Sequence, residues 1–225
     1  MRKAYLFTLL LSVFFSCTLH AQTTKTIDVA QPGTLSATLG EELKTVKDLT
    51  VTGKINTSDI DGLAQANALE VLNLLDAAIV DAEGKETTVF PGYTLRKHPA
   101  LTTFTFPKTV TTVGNGAFFK CQKLKKVVLP ETIKKLNETV FMSCSALSDI
   151  NFPNGLESIG RSALYMTAIT EFTAPKSLKT LGDNALYGTP ITKAVLNDKL
   201  EKIGQALFAA CKQLSKIEIE NNPNF

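Results

Sequence analysis

The residues of this chain best suited to chemistry are its cysteines and histidines, and their spacing limits what that chemistry can be. Cys121, Cys144 and Cys211 each fall twenty residues into a repeated segment, with Thr167 and Thr189 at the same place in two others. One thiol per segment, set in a line, does not supply the three or four converging ligands that a zinc ion needs. Neighbouring segments stacked about 4.8 Å apart would bring Cys121 and Cys144 within disulfide reach, but parallel Cβ directions oppose the bond. Buried free thiols serving as small core residues are the expectation. His98, within Arg96-Lys97-His98-Pro99, reads as a surface loop residue. No nucleophile, base and stabiliser can be assembled from one such imidazole and lone thiols, so the expectation is a chain without catalytic residues, metal or cofactor.

The element that positions these residues is a repeat. From Leu101 the sequence falls into five aligned segments of 22 or 23 residues, opening at Leu101, Leu124, Leu147, Ile169 and Ile191, with an incomplete sixth at Leu214. That period is too short for a free domain and suits one coil of a solenoid. Apolar residues stand three and five places after each opening residue, as in Val127 and Leu129; their spacing of two predicts a short strand with its apolar side inward. Proline ends the strand at Pro107, Pro130, Pro153 and Pro175, where a ladder donor is no longer needed, and Asn197 takes that place in the fifth segment. Two further inward positions follow, such as Ile133 and Leu136, and then Gly114, Asn137, Gly160, Gly182 or Gly204. Glycine or asparagine at one turn position implies a left-handed or closely approached backbone. The predicted fold is a leucine-rich-repeat solenoid: short parallel strands on one face, mostly turns and short irregular or helical segments on the other.

The pattern Leu-x-x-Val-x-Leu-Pro-x-x-Leu-x-x-Ile-Gly-x-x-Ala-Phe resembles the repeat of BspA-like leucine-rich-repeat proteins from the surfaces of gut and mouth bacteria. The resemblance covers residues 101 to 221, with Leu49 to Gly53 and Leu69 to Ala77 similar to irregular leading repeats. It implies an extracellular, non-catalytic role in protein binding or adhesion and carries over no ligand. A structural spacer, or the N-terminal fragment of a larger surface protein carrying another domain, is the alternative.

Residues 1–21 read as a signal peptide: Arg2 and Lys3, an apolar run from Ala4 to Phe15, and a small residue, Ala21, before the expected cut. Cys17 offers a rival route, lipidation. The expected location is extracellular or at the cell surface in association with an outer membrane, with the periplasm as the alternative. No later stretch reaches the roughly 20 apolar residues that span a bilayer. Removing the leader takes Arg2 and Lys3 from the 24 basic residues, leaving 22 against 21 acidic, and so no electrostatic basis for binding nucleic acid.

Residues 22–100 are expected to hold a cap and the irregular leading repeats, and 101–225 the regular ones. Leu35, Leu39, Leu43 and Val46 recur at helical spacing and predict an amphipathic N-terminal helix. Residues 80–99 break the period as a longer excursion. No cap is visible after Ile219, which points to self-association through the last coil. The outward strand positions form the candidate binding face for a protein ligand on a host or another cell: Lys126, Val128, Asp149, Asn151, Glu171, Thr173, Lys193 and Val195. This face has mixed charge and no aromatic anchor of the kind that dominates protein interfaces. Tyr165 and Tyr187 share one column and read as repeat packing.

Overall fold

The computed structural model describes residues 24–221; the candidate signal peptide and Cys17 lie outside them. The chain winds as a coil with parallel strands on two sides. The front sheet carries Thr24–Val29, Asp48–Ile55, Val71–Asn73, Thr103–Thr105, Lys126–Val128 and Asp149–Ile150 in spatial order, with Ala77–Ile79 paired to the end of the second strand. It continues as a separate three-stranded piece, Glu171–Thr173, Lys193–Leu196 and Lys216–Ile219. The interruption falls where the offset between successive strands drops from 23 residues (Lys126 to Asp149) to 22 (Glu171 to Lys193). On the paired side of the break the Asn151 side chain extends the ladder to the preceding coil: its Oδ1 accepts from Leu129 N at 2.8 Å and its Nδ2 donates to Leu129 O at 2.9 Å.

The opposite side has the expected turns and, among them, a narrow second sheet. Two-residue strands at Val89–Phe90, Thr112–Val113, Lys135–Leu136, Ser158–Ile159, Thr180–Leu181 and Lys202–Ile203 pair in parallel without a break. Between the sheets lies one continuous core. Leu124, Val127, Ile133, Leu136, Val140 and Phe141 of one coil are all at most 1% exposed, and their equivalents repeat along the axis. Each fully buried side chain of this kind contributes about 1.5 to 3 kcal/mol, which is the main drive to stack. Phe90, Phe104, Phe106, Phe118 and Phe141 form an aromatic cluster near the start of the regular coils, with ring centroids 4.7 to 5.8 Å apart.

The glycine column satisfies the second of the two alternatives. Gly160 and Gly182 have ordinary φ, but a Cβ on Gly182 would stand 2.5 Å from Arg161 N of the preceding coil. The left-handed residues are elsewhere, two and six places further on: Tyr93 and Lys97, Gly116 and Lys120, Thr139 and Ser143, Ser162 and Met166, Asn184 and Gly188. Every one of these ten donates its N–H to a carbonyl of the next coil, for instance Thr139 N to Arg161 O at 2.9 Å and Ser143 N to Tyr165 O at 2.8 Å. A left-handed non-glycine costs roughly 1–2 kcal/mol. The bond between coils offsets much of that. The result is a third hydrogen-bonded wall, a flank of hooked turns joining the back sheet to the front.

This phase begins earlier than Leu101. Phe90, Tyr93, Lys97 and His98 already occupy the positions of Val113, Gly116, Lys120 and Cys121, so the excursion is confined to a tight turn closed by the Val80–Glu86 antiparallel bridge. Upstream, the leading coils contain two short helices, α1 (Leu35–Leu39) followed by a 3-10 turn (Gly40–Lys44), and α2 (Thr57–Leu63). Leu35, Leu39 and Val46 are buried and Leu43 packs on the core, but the strand Thr24–Val29 precedes them and forms the outer edge of the front sheet. Asp59 ties the two helices together. Buried at 1% exposure, it accepts hydrogen bonds from Gly33 N, Leu35 N and Asn56 N at 2.7 to 3.0 Å and completes a capping box with Asn56.

Candidate interaction surface

The described thiols share one column along the core, sealed at Cys121 and Cys144 and partly open at Cys211. Cys121 and Cys144 are free and wholly buried, Cys211 is free and half-buried, and their thiols donate to Leu95 O, Phe118 O and Leu186 O at 3.0, 3.0 and 3.2 Å. Thr167 and Thr189 donate instead within their own coil, to Leu164 O and Leu186 O three residues back, where the thiols reach a carbonyl of the preceding coil. The shared column is therefore a ladder of small donors that cover turn carbonyls. Burial pushes the Cys144 thiol well above its ordinary range, so it stays protonated as a donor.

His98 is the first rung of that column, not a surface residue as its sequence neighbours suggested. It is 2% exposed, its Nδ1 accepts from Leu101 N at 3.1 Å and Ala100 N at 3.4 Å, and its buried Nε2 makes no hydrogen bond. Burial lowers its pKa, opposed in part by the nearby Leu63 and Ala66 carbonyls. The error has a physical source: Arg96, Lys97 and Pro99 suggest a loop, while the 23-residue offset to Cys121 is the signal that places His98 inside. Among the described residues, no three His, Cys, Asp or Glu side chains come together in a way that could hold a metal ion.

Chemistry with a partner thus falls to the outward walls. On the front sheet, Lys126 pairs with Asp149 at 2.8 Å, and Lys193 and Lys216 both pair with Glu218 at 3.0 and 2.6 Å. Hydrogen bonds from Lys216 and then Lys193 hold the Glu218 carboxyl below its usual range. Asn151 is committed to the Leu129 backbone, Val128 and Val195 are half-buried, and Glu171 and Thr173 stand exposed. The structure brings these candidates onto one face, where Lys126 and Lys193 each pair with an acid of the next coil and Lys216 with Glu218 of its own. Exposed pairs of this kind contribute about 0–1 kcal/mol each.

Beside the back sheet runs a shallow groove of about 680 Å³ lined by Lys135, Ile159, Thr180 and Lys202 on the strands and by Asn137, Glu138, Arg161 and Asp183 at the turns. Arg161 pairs with Glu138 at 3.0 Å, and Asp183 accepts from Gln205 N at 2.8 Å. On the hooked flank, Tyr165 and Tyr187 stack with centroids 4.7 Å apart and planes within 4°. The stack covers one face of each ring and ties neighbouring coils together along the wall. Tyr93 lies over Gly116, where a Cβ would come within 2.5 Å of its ring.

A model of the BspA type leucine rich repeat region matches residues 88–215 in six copies. The chain belongs to that family. The first copy opens at residue 88, at the Val89–Phe90 strand where the back sheet begins. Among solved structures, the T. pallidum leucine rich repeat protein TpLRR is similar with a TM-score of 0.59 and 21% identity over 69% of this chain and 72% of that one. A leucine-rich repeat protein from Bacteroides ovatus ATCC 8483 gives 0.56 and 22% over 78% of this chain and 50% of that one. The pneumococcal vaccine antigen PcpA gives 0.51 and 17% over 89% and 57%. At these identities the likeness shows the shared solenoid fold. No curated protein matches the sequence. As in other BspA type repeats, the coils form a scaffold, and among the described residues no helix is long and apolar enough to cross a membrane.

Proposed function

We propose that this is an exported, non-catalytic binding module that displays a rigid solenoid outside the cell to a protein partner, in adhesion or a related contact. The carrying observation is the division of labour in the coil: the described thiols and the described imidazole lie in the column that closes the core, while three hydrogen-bonded walls face outward. The division expected from sequence is part of this reading, with 1–21 as export signal, 22–100 as cap and leading coils, and 101–225 as the regular array. Self-association is the second contact in this reading, supported by Ile203 and Ile217, which are 54% and 36% exposed at the last described coils.

Two experiments bear on this. Antibody should label the protein on intact producing cells; labelling only after permeabilisation overturns the external location. Replacing the coils with an unrelated solenoid of equal length should abolish attachment to a protein-coated surface; attachment that persists makes the array a spacer.

A further inference from the structure

The hooked flank differs from the two sheets in one property that runs the length of the regular array: the turn segments that form its face carry no acid. The turn segments 93–102, 116–125, 139–148, 162–170, 184–192 and 206–215 contain no Asp or Glu, and between Glu86 and Glu131 there is none at all. Asp149 and Glu171 sit on the front sheet, Glu157 and Glu201 sit beside the back sheet, and Glu138, paired with Arg161, and Asp183 stand where the back sheet meets the flank, just before the hooks begin. Five cations gather at one end of the flank: Arg96, Lys97, Lys120, Lys123 and Lys125 are exposed, and none has an ion-pair partner among the described residues. They are neighbours by construction, because Lys97 N–H bonds to Phe119 O one coil on, beside Lys120. Lys120 lies over the Phe119 ring at 5.2 Å.

Beyond the cations the same wall is apolar. Phe119, Met142, Tyr165 and Tyr187 form one column of half-buried side chains, flanked by Met166 at 47% exposure. Aromatic residues, Met and Arg with few acids are the composition of protein interface cores. The wall is also stiff, since the left-handed residues are each bonded to the next coil, so little side-chain and loop ordering is left to oppose association.

We propose that the hooked flank, rather than the front sheet, is the docking surface, and that its occupant is an acidic protein surface carrying exposed apolar side chains. The cations at the Arg96 to Lys125 end meet carboxylates, and the Phe119 to Tyr187 column meets the apolar part. The assignment rests on the protein-binding reading above and adds the face and the partner's chemistry.

The test uses a labelled soluble copolymer of glutamate and tyrosine as probe, with phosphatidylglycerol vesicles as a second arm. The purified protein binds the copolymer with an affinity that falls as salt rises. Changing Arg96, Lys97, Lys120, Lys123 and Lys125 together to Gln weakens binding at least about tenfold, with the melting point unchanged. Lys135→Gln with Lys202→Gln, in the back groove, changes it less than about twofold. Equal weakening by the two variants, no binding of the copolymer, or a preference for the vesicles overturns the proposal. Attachment of producing cells separates the two levels. If the five-fold variant attaches as well as the wild type, the flank is wrong and the binding function stands; if the wild type does not attach, the binding function itself fails.

Discussion

At the scale of single residues, the column from His98 to Cys211 shows how a repeat turns reactive side chains into structure. His98 must be neutral to accept from two backbone N–H groups at Nδ1, and a proton placed there would face those donors. Its pKa is lowered by burial, so the unfolded chain takes up a proton that the folded chain refuses. Stability is complete above the unfolded value of about 6.5 and is lost as pH falls from there toward the folded value. Melting points measured from pH 7 down to pH 5 should therefore decline for the wild type and decline less for His98→Asn, whose Oδ1 can accept without titrating. Parallel profiles would remove His98 from the account. The sequence made the thiols legible as core residues because three of them share one phase. It did not do so for His98, because two cations and a proline beside it outweighed a phase that the excursion had obscured.

At the scale of elements, the inward and outward positions were readable wherever side chains alternate against a single core. Leu181 is fully buried, while Lys179 is exposed in a 3.7 Å pair with Glu201. Leu181→Lys should cost about 3–5 kcal/mol through an uncompensated buried charge, against under about 1 kcal/mol for Lys179→Glu. Thermal unfolding of the two variants checks this, and equal midpoints would refute the assignment. Less readable were features whose cause is backbone geometry. The left-handed pairs fall on Thr139, Ser143, Ser162 and Met166, residue types that carry no signal for positive φ, and they are held there by bonds between coils. The second sheet was hidden for a related reason, as two-residue strands leave almost no alternation to detect. Asp59 likewise organises the leading coils through three N–H groups, two of them 24 and 26 residues away in sequence.

At the scale of the whole molecule, each wall has its own electrostatic character. The front sheet neutralises itself coil by coil through Lys126 and Asp149 and through Lys193, Lys216 and Glu218. The face of the hooked turns carries no acid, and Arg96, Lys97, Lys120, Lys123 and Lys125 have no ion-pair partner there among the described residues. The outward strand positions pointed to the front sheet; the distribution of charge points to the flank. The most direct measurement is photo-cross-linking from intact producing cells, with a benzophenone side chain placed in turn at Tyr165 on the flank, Glu171 on the front sheet and Lys202 in the back groove. Protein adducts from Tyr165 with few from the other two sites are the predicted result. Adducts from Glu171 or Lys202 but not from Tyr165, or none from any site, would contradict the account.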